Sequence, residues 1–238
     1  MFETLLVKPL YNIFIFFIGV APGGSVGLAI IALTILMRVL FYPAFAASIR
    51  TQMGMQSAQA ELDEINRKYK DDSEAKARHT LALYKEKKIR PFASLVALIV
   101  QIPIFLALYF AFFREGLPHV STGLLYSFVH APAAVNVDFL GIFNLLEPHT
   151  IALSILVAGL QYLVAYFSTA RTAAATTSLA PEKQAAQRMQ ANMMLYMFPI
   201  IMGVISYSVP AAVAIYFITG NLFSLLQEFL IRRQLAAK

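Results

Sequence analysis

Ser25-Val-Gly-Leu-Ala-Ile-Ile-Ala-Leu-Thr-Ile-Leu-Met-Arg38-Val-Leu-Phe-Tyr-Pro-Ala-Phe-Ala-Ala47 is the stretch on which the reading of this chain turns. It is apolar apart from Ser25, Thr34 and one arginine, Arg38. About twenty apolar residues in helical conformation cross the roughly 30 Å of a bilayer's hydrocarbon. Residues 25–47 therefore read as a membrane span with a cation at mid-depth. The rest of the chain agrees, since 59% of its 238 residues are hydrophobic and only 13% are charged. A soluble domain of this length could not hide that much apolar surface.

Four more apolar segments follow the first: 92–113, 150–170, 192–207 with a kink expected at Pro199, and 211–231. Only Ser208-Val-Pro210 separates the last two, which implies a tight helical hairpin. The segments between the spans set the orientation. Residues 48–90 hold ten Lys or Arg, residues 171–191 hold Arg171, Lys183 and Arg188, and the tail 232–238 holds Arg232, Arg233 and Lys238. The long 114–149 loop has only Arg114. Basic segments stay in the cytoplasm, so five spans place the C-terminus inside and the N-terminus outside. The expected fold is all-α: a polytopic membrane protein with five transmembrane helices.

Residues 1–24 hold an apolar run, Leu10 to Val20, too short for a straight crossing and closed by Pro22-Gly-Gly24. An amphipathic helix lying in the outer interface fits the topology. A sixth span or a cleaved signal are the alternatives. Residues 48–91 are rich in Ala, Glu, Lys, Gln and Arg, all good helix formers. They read as a cytoplasmic helical hairpin turning at Tyr69-Lys-Asp71-Asp72, with Asp71 capping the second helix and Glu74 completing a capping box. Leu62, Ile65 and Tyr69 make an apolar stripe on the first helix, and Leu81 and Tyr84 begin one on the second. Such thin stripes suit a mobile hairpin resting at the membrane surface. In the outer loop, the apolar 139–146 stretch suggests a short re-entrant or interfacial piece.

Chemistry is scarce. There is no cysteine, and His119, His130 and His149 lie scattered without metal-ligand spacing, so neither a metal nor a cofactor is expected. The spans hold no nucleophile–base pair, which argues against an enzyme. Arg38 itself is expensive, at about 2.5–3.5 kcal/mol for a mid-span arginine. On a straight helix, Arg50 at the cytoplasmic boundary is about 18 Å away, beyond the reach of snorkelling. No carboxylate lies in the first four spans, and Glu228 in the fifth is one turn from Arg232, its natural partner. Water in a cavity open to one side remains. Thr34 on the same face, with Gln101, Gln161, Asn221 and Ser224 from other spans, would line such a hydrophilic groove. A groove of this kind suits transient binding of a polar or acidic chain segment. A small-solute or anion transporter or channel is the alternative, and a chaperone that holds helices without inserting them is a third reading.

Several motifs carry a resemblance. Ile65-Asn-Arg-Lys-Tyr-Lys-Asp-Asp72, Ala82-Leu-Tyr-Lys-Glu-Lys-Lys-Ile-Arg-Pro91 and Val100-Gln-Ile-Pro-Ile-Phe-Leu-Ala-Leu-Tyr109, with Lys8-Pro-Leu-Tyr-Asn12 and Ile215-Tyr-Phe-Ile-Thr-Gly-Asn-Leu222, resemble the YidC/Oxa/Alb-type membrane protein insertases. The resemblance covers nearly the whole chain. It implies a bacterial cytoplasmic (inner) membrane protein that moves nascent membrane proteins into the lipid bilayer. It implies a groove around Arg38 and Thr34, open to the cytoplasm and to lipid. It also implies an apolar slide for substrate spans, matched here by Phe105, Tyr216 and Phe217. The hairpin around Tyr69, Asp71, Asp72 and Tyr84 is implied to be required for insertion. The ribosome and the Sec translocon are the candidate partners beyond the substrate, with no direct contact to nucleic acid.

Overall fold

The computed structural model describes residues 7–90, 116–169, 189 and 191–236. The expected second span, 92–113, with Gln101 and Phe105, lies outside the described residues, as does nearly all of 171–191. The described chain is mainly helical. Two helices, Ile151–Ser168 and Ala211–Gln234, are long and apolar enough to cross a bilayer, and a bent pair within 26–55 passes as a third, broken one.

Helix α1, Lys8–Val20, starts with a proline in its first turn, where the missing N–H costs nothing. Tyr11, Phe14, Ile15 and Ile18 recur at helical spacing and are fully buried. They share one core with Val26, Ala29, Ile30 and Leu33 of α2, Val26–Leu40. The other face, with Phe16 and Val20, is exposed. The 116–149 segment also holds α1: Asn12 donates to the Leu124 carbonyl (2.9 Å) and accepts from the Tyr126 N–H (2.7 Å), while the Tyr11 hydroxyl accepts from Ser121 N–H. Between α1 and α2 the chain turns through Pro22–Gly24. Gly24 has φ +67°, and a Cβ there would lie 2.0 Å from the Ala134 carbonyl oxygen, so only glycine fits.

The first expected span is not one straight helix. It breaks at Phe41, and α3, Tyr42–Ser57, leaves α2 at 67°. Pro43 explains the break. It has no N–H to give the Val39 carbonyl, and its ring would collide with that carbonyl in a continuous helix. Placed in the first turn of α3, the same proline is harmless.

The charged hairpin follows as α4, Gln59–Lys68, and α5, Ser73–Glu86. The turn falls at Tyr69–Asp72, as the sequence suggests, but the cap differs. Asp72, not Asp71, caps α5 by accepting from the Ala75 N–H at 2.9 Å. The third helical residue is then Ala75, so Glu74 completes no capping box. The stripe also differs: Leu81 is exposed, and Leu83 two residues on packs with Ala58, Leu62 and Ile89, with Ile65 and Tyr84 beside them. Residues two apart on a helix lie about 200° apart, so only one of them can face α4. Lys87 pairs with Glu61 at 2.8 Å across the hairpin, and this contact raises the Lys87 ammonium above its usual range. Tyr69 stacks on His79 with ring centroids 4.4 Å apart.

The 139–146 stretch forms a small β-hairpin, the one departure from helix among the described elements. Strands β1, Asp138–Phe139, and β2, Phe143–Asn144, pair antiparallel. Leu140 and Gly141 both have positive φ, at 57° and 67°, which gives the turn the hand that suits twisted strands. The segment then crosses to the last helical hairpin: His149 N–H donates to the Tyr207 carbonyl, and Ala211 and Ala212 N–H donate to the Glu147 and Leu145 carbonyls. Those two donors are groups that the start of α8 would otherwise leave unsatisfied.

Helix α6 is Ile151–Thr169, α7 is Phe198–Ser208 and α8 is Ala211–Ala236. A wider turn of π type, Met193–Met197, precedes α7. It meets the expected irregularity at Pro199, which cannot donate to the Leu195 carbonyl. Helix α6 packs on both α7 and α8, and α8 packs on α2.

Candidate functional site

A cavity of about 260 Å³ opens where the end of α2, the start of α3, α6, the turn before α7 and the later half of α8 converge. Arg38 lines it, together with Gln161, Ser224, Gln227, Glu228 and Arg232. Three side chains picked from the sequence, Arg38, Gln161 and Ser224, thus share one space. Thr34 does not join them. It is 1% exposed, and its hydroxyl donates to the Ile30 carbonyl of its own helix at 2.7 Å. Asn221 also stays off the lining, and its amide Nδ2 is buried without a hydrogen-bond partner among the described residues.

The surroundings of Arg38 follow from the break at Phe41. Helix α2 ends at Leu40, two residues beyond Arg38, so the arginine lies in the last turn. A cation there gains about 0.3–1 kcal/mol from the helix dipole, and up to about 2 when partly buried. Phe45 is seven residues on, which on a straight helix means about 10 Å along the axis. The bend instead brings its ring to 4.5 Å from the guanidinium carbon, a cation–π contact worth about 0.5–2 kcal/mol. Arg38 Nη1 donates to Ser224 Oγ at 3.0 Å, and that hydroxyl in turn donates to the Gly220 carbonyl at 2.9 Å. A hydrogen bond to a charged group contributes about 1.5–3 kcal/mol. Gly220 makes room, since a Cβ there would come within 3.1 Å of Arg38 Nη2. These contributions together match the insertion cost of the arginine. Water is therefore not the sole support for the charge, as the straight-helix picture required; a hydroxyl and an aromatic face supply much of it.

At the other end of the cavity, Glu228 pairs with Arg232, the partner expected from their spacing. Arg232 also donates to the Phe167 carbonyl at the end of α6, with its guanidinium carbon 5.9 Å from the Phe167 ring. Gln52 of α3 accepts from the Ser168 hydroxyl at 3.2 Å, and Arg50 donates to Gln234 at 3.4 Å. These contacts tie α3, α6 and α8 together beside the cavity.

Tyr216 and Phe217, matched to a substrate slide, sit differently. Tyr216 is 2% exposed and belongs to the main core, so it cannot present a surface in this conformation. Phe217 is half-buried against it, with ring centroids 5.4 Å apart. The exposed apolar surface lies elsewhere, at Leu222, Leu226 and Phe229 of α8 and Ile155 and Tyr166 of α6. The sequence reading missed Phe45 and Gln227. Pro43 was the signal for the first. For Gln227 the signal was its spacing of three from Ser224.

Fold and cavity define a helical membrane protein with a half-buried, protein-held arginine facing a cavity of mixed polar and apolar lining, and no group of three metal-ligating side chains occurs among the described residues. Residues 17–238 match the model of the family described as 60Kd inner membrane protein, and the chain belongs to that family. It is 32% identical over 241 residues to the membrane protein insertase YidC of Oceanobacillus iheyensis, covering 99% of this chain and 85% of that one. It is 28% identical over 214 residues to the protein of the same name from Francisella tularensis subsp. novicida. There the alignment takes in 90% of this chain but 34% of the relative, so the chain spans about a third of that protein's length.

Proposed function

We propose that this chain is a membrane protein insertase of a bacterial inner membrane, which receives the polar outer segment of a nascent membrane protein in the cavity around Arg38. The activity is the one its relatives are named for. It requires no bond making or breaking by the protein, so it is not enzymatic. The observation that carries the reading is a guanidinium held beside a cavity by Ser224 and Phe45, with no carboxylate paired to it among the described residues. Such a charge keeps donors to offer: arginine has five N–H groups, and one is committed to Ser224.

In this reading the chain spans the bilayer five times, with the N-terminus outside and the C-terminus in the cytoplasm. The cavity mouth near Gln52, Ser168 and Arg232 faces the cytoplasm, alongside the basic hairpin. An acidic residue in a passing segment exchanges water for the Arg38 guanidinium, which lowers the cost of its transfer. The substrate's apolar span leaves between α6 and α8 towards lipid, and its burial in hydrocarbon drives the process. The ribosome would deliver the nascent chain beside the hairpin, and the Sec translocon would share larger substrates. Replacing Arg38 with Ala tests the reading. Insertion of a single-span substrate with an acidic outer tail should fall severalfold in a strain that depends on this chain. Wild-type insertion by the Arg38→Ala protein would remove the cavity from the mechanism.

A further inference from the structure

Two of the most exposed large apolar side chains among the described residues lie at the tip of the β-hairpin, Leu140 at 72% and Ile142 at 73%. The phenylalanines on either side turn inward. Phe139 and Phe143 pack on the main core, and Phe139 lies so close to Gly27 that a Cβ there would come within 2.1 Å of its ring. The hairpin is thus held against the start of α2 while its tip stands clear of the protein. A turn with two positive φ values favours Asn, Asp or Gly, which tolerate that backbone and suit water. Leu140, with φ +57°, is unfavourable there twice over, in backbone strain and in exposed apolar surface.

The depth of the tip follows from α8. The Ala212 N–H donates to the carbonyl of Leu145, three residues beyond Ile142. Arg232, paired with Glu228 near the other end of α8, is about twenty residues from Ala212, or about 30 Å of helix. That equals the thickness of the hydrocarbon core. With Arg232 at the cytoplasmic boundary, Leu145 lies at the outer one. The other arm of the hairpin is fixed at the same end of the spans, since the Val26 N–H at the start of α2 donates to the Asn136 carbonyl. The charges that flank the tip in sequence are Asp138 and Glu147, which would not draw an anionic headgroup. What the site offers is apolar surface alone, at the depth where acyl chains begin.

We propose that the Leu140–Ile142 tip inserts among the lipid acyl chains of the outer leaflet and anchors the outer segment to the bilayer. The proposal rests on the reading above that α6 and α8 cross the bilayer with residues 150 and 211 at the outer face. Burial of the two side chains in hydrocarbon offsets the strain at Leu140. Because the same hairpin is bonded to the first turns of α2 and α8, the anchor also holds the outer ends of those helices at a fixed depth.

The chain has no tryptophan, so Leu140→Trp and Ile142→Trp each introduce a unique fluorophore. Each full-length variant is placed in nanodiscs of zwitterionic phosphatidylcholine, where both faces are open to solutes. Quenching by lipids brominated on the acyl chain is compared with quenching by aqueous iodide. The proposal predicts blue-shifted emission from both positions, quenched severalfold more by the brominated lipid than by iodide. Quenching mainly by iodide would place the tip in water and overturn it. Protection from both quenchers would mean that protein covers the tip, which overturns it equally. Leu163→Trp, on the exposed face of α6, is run in parallel. If it is quenched by the brominated lipid while the tip positions are not, the anchor alone fails; if neither is, the spanning reading fails with it. A further variant guards against a folding defect. Leu140→Asn suits positive φ and so keeps the turn, but removes half of the apolar tip. In the Ile142→Trp background it should lower quenching by the brominated lipid and raise that by iodide, each severalfold. Unchanged quenching in this double variant would also overturn the proposal.

Discussion

Replacing Ser224 with Ala should loosen Arg38 by an amount that the geometry sets. The hydroxyl accepts from Nη1 at 3.0 Å, and its own proton goes to the Gly220 carbonyl, so its lone pair is oriented at the guanidinium. A bond to a charged group contributes about 1.5–3 kcal/mol. Water in the cavity can replace part of it, which brings the expected loss to about 1–2 kcal/mol. The clean measure is a double-mutant cycle with Arg38→Met, read by equilibrium unfolding in mixed detergent. Arg38→Met keeps an unbranched apolar stem and removes the cation. The predicted coupling between the two positions is about 1–2 kcal/mol, with the Ser224→Ala effect nearly abolished in the Arg38→Met background. Coupling within about 0.5 kcal/mol of zero would refute the claim that this hydroxyl supports the charge. A parallel cycle with Phe45→Leu should give about 0.5–2 kcal/mol from the cation–π contact.

Three further outcomes follow from particular elements. Pro43→Ala should let α2 and α3 approach one straight helix, so spin labels on either side of Phe41 should move apart relative to the 67° bend; an unchanged distance would mean that packing, not the proline, makes the bend. Asp72→Ala should destabilise the charged hairpin by about 0.5–2 kcal/mol in hydrogen exchange, whereas Asp71→Ala should change it little. Glu61→Gln should speed hairpin exchange at neutral pH but not in strong alkali. The Lys87 ammonium titrates above its usual range in the fold, so its contribution is complete below the unfolded pKa and lost as pH rises through the raised one. An equal effect of Glu61→Gln at both pH values would assign it to packing instead.

How far the sequence could be read depended on what each residue needed to be interpreted. Arg38 stood out because a charge inside an apolar run has no bland explanation, and the pairing of Glu228 with Arg232 followed from spacing alone. The hairpin turn at Tyr69–Asp72 was likewise local. Pro43 was present in the same apolar run, but hydropathy counts it as one more uncharged residue, and so the bend and the Phe45 contact were overlooked. Choosing Asp71 over Asp72 weighed a side-chain motif above the position at which the backbone turns. Leu81 and Leu83 are equally apolar; only the placement of α4 decides which is buried. Thr34 shares a helical face with Arg38, yet a buried threonine can satisfy itself on the carbonyl four residues back, as it does here. Tyr216 is an aromatic in an apolar helix, and nothing in its sequence context distinguishes core from surface. Leu140-Gly141, between Phe139 and Ile142-Phe143, held a hairpin signal in its glycine, hidden by the expectation of a re-entrant or interfacial piece.

The central claim is that the polar outer segment of a substrate passes through the Arg38 cavity. Adjacent residues of α6 test it directly, because Val164 lines the cavity while Leu163, 41% exposed, does not. Single cysteines at each position can be offered to a stalled nascent membrane protein that carries one cysteine in its outer segment. The account predicts disulfide formation from position 164 well above that from position 163. Equal formation from both, or a preference for 163, would contradict it.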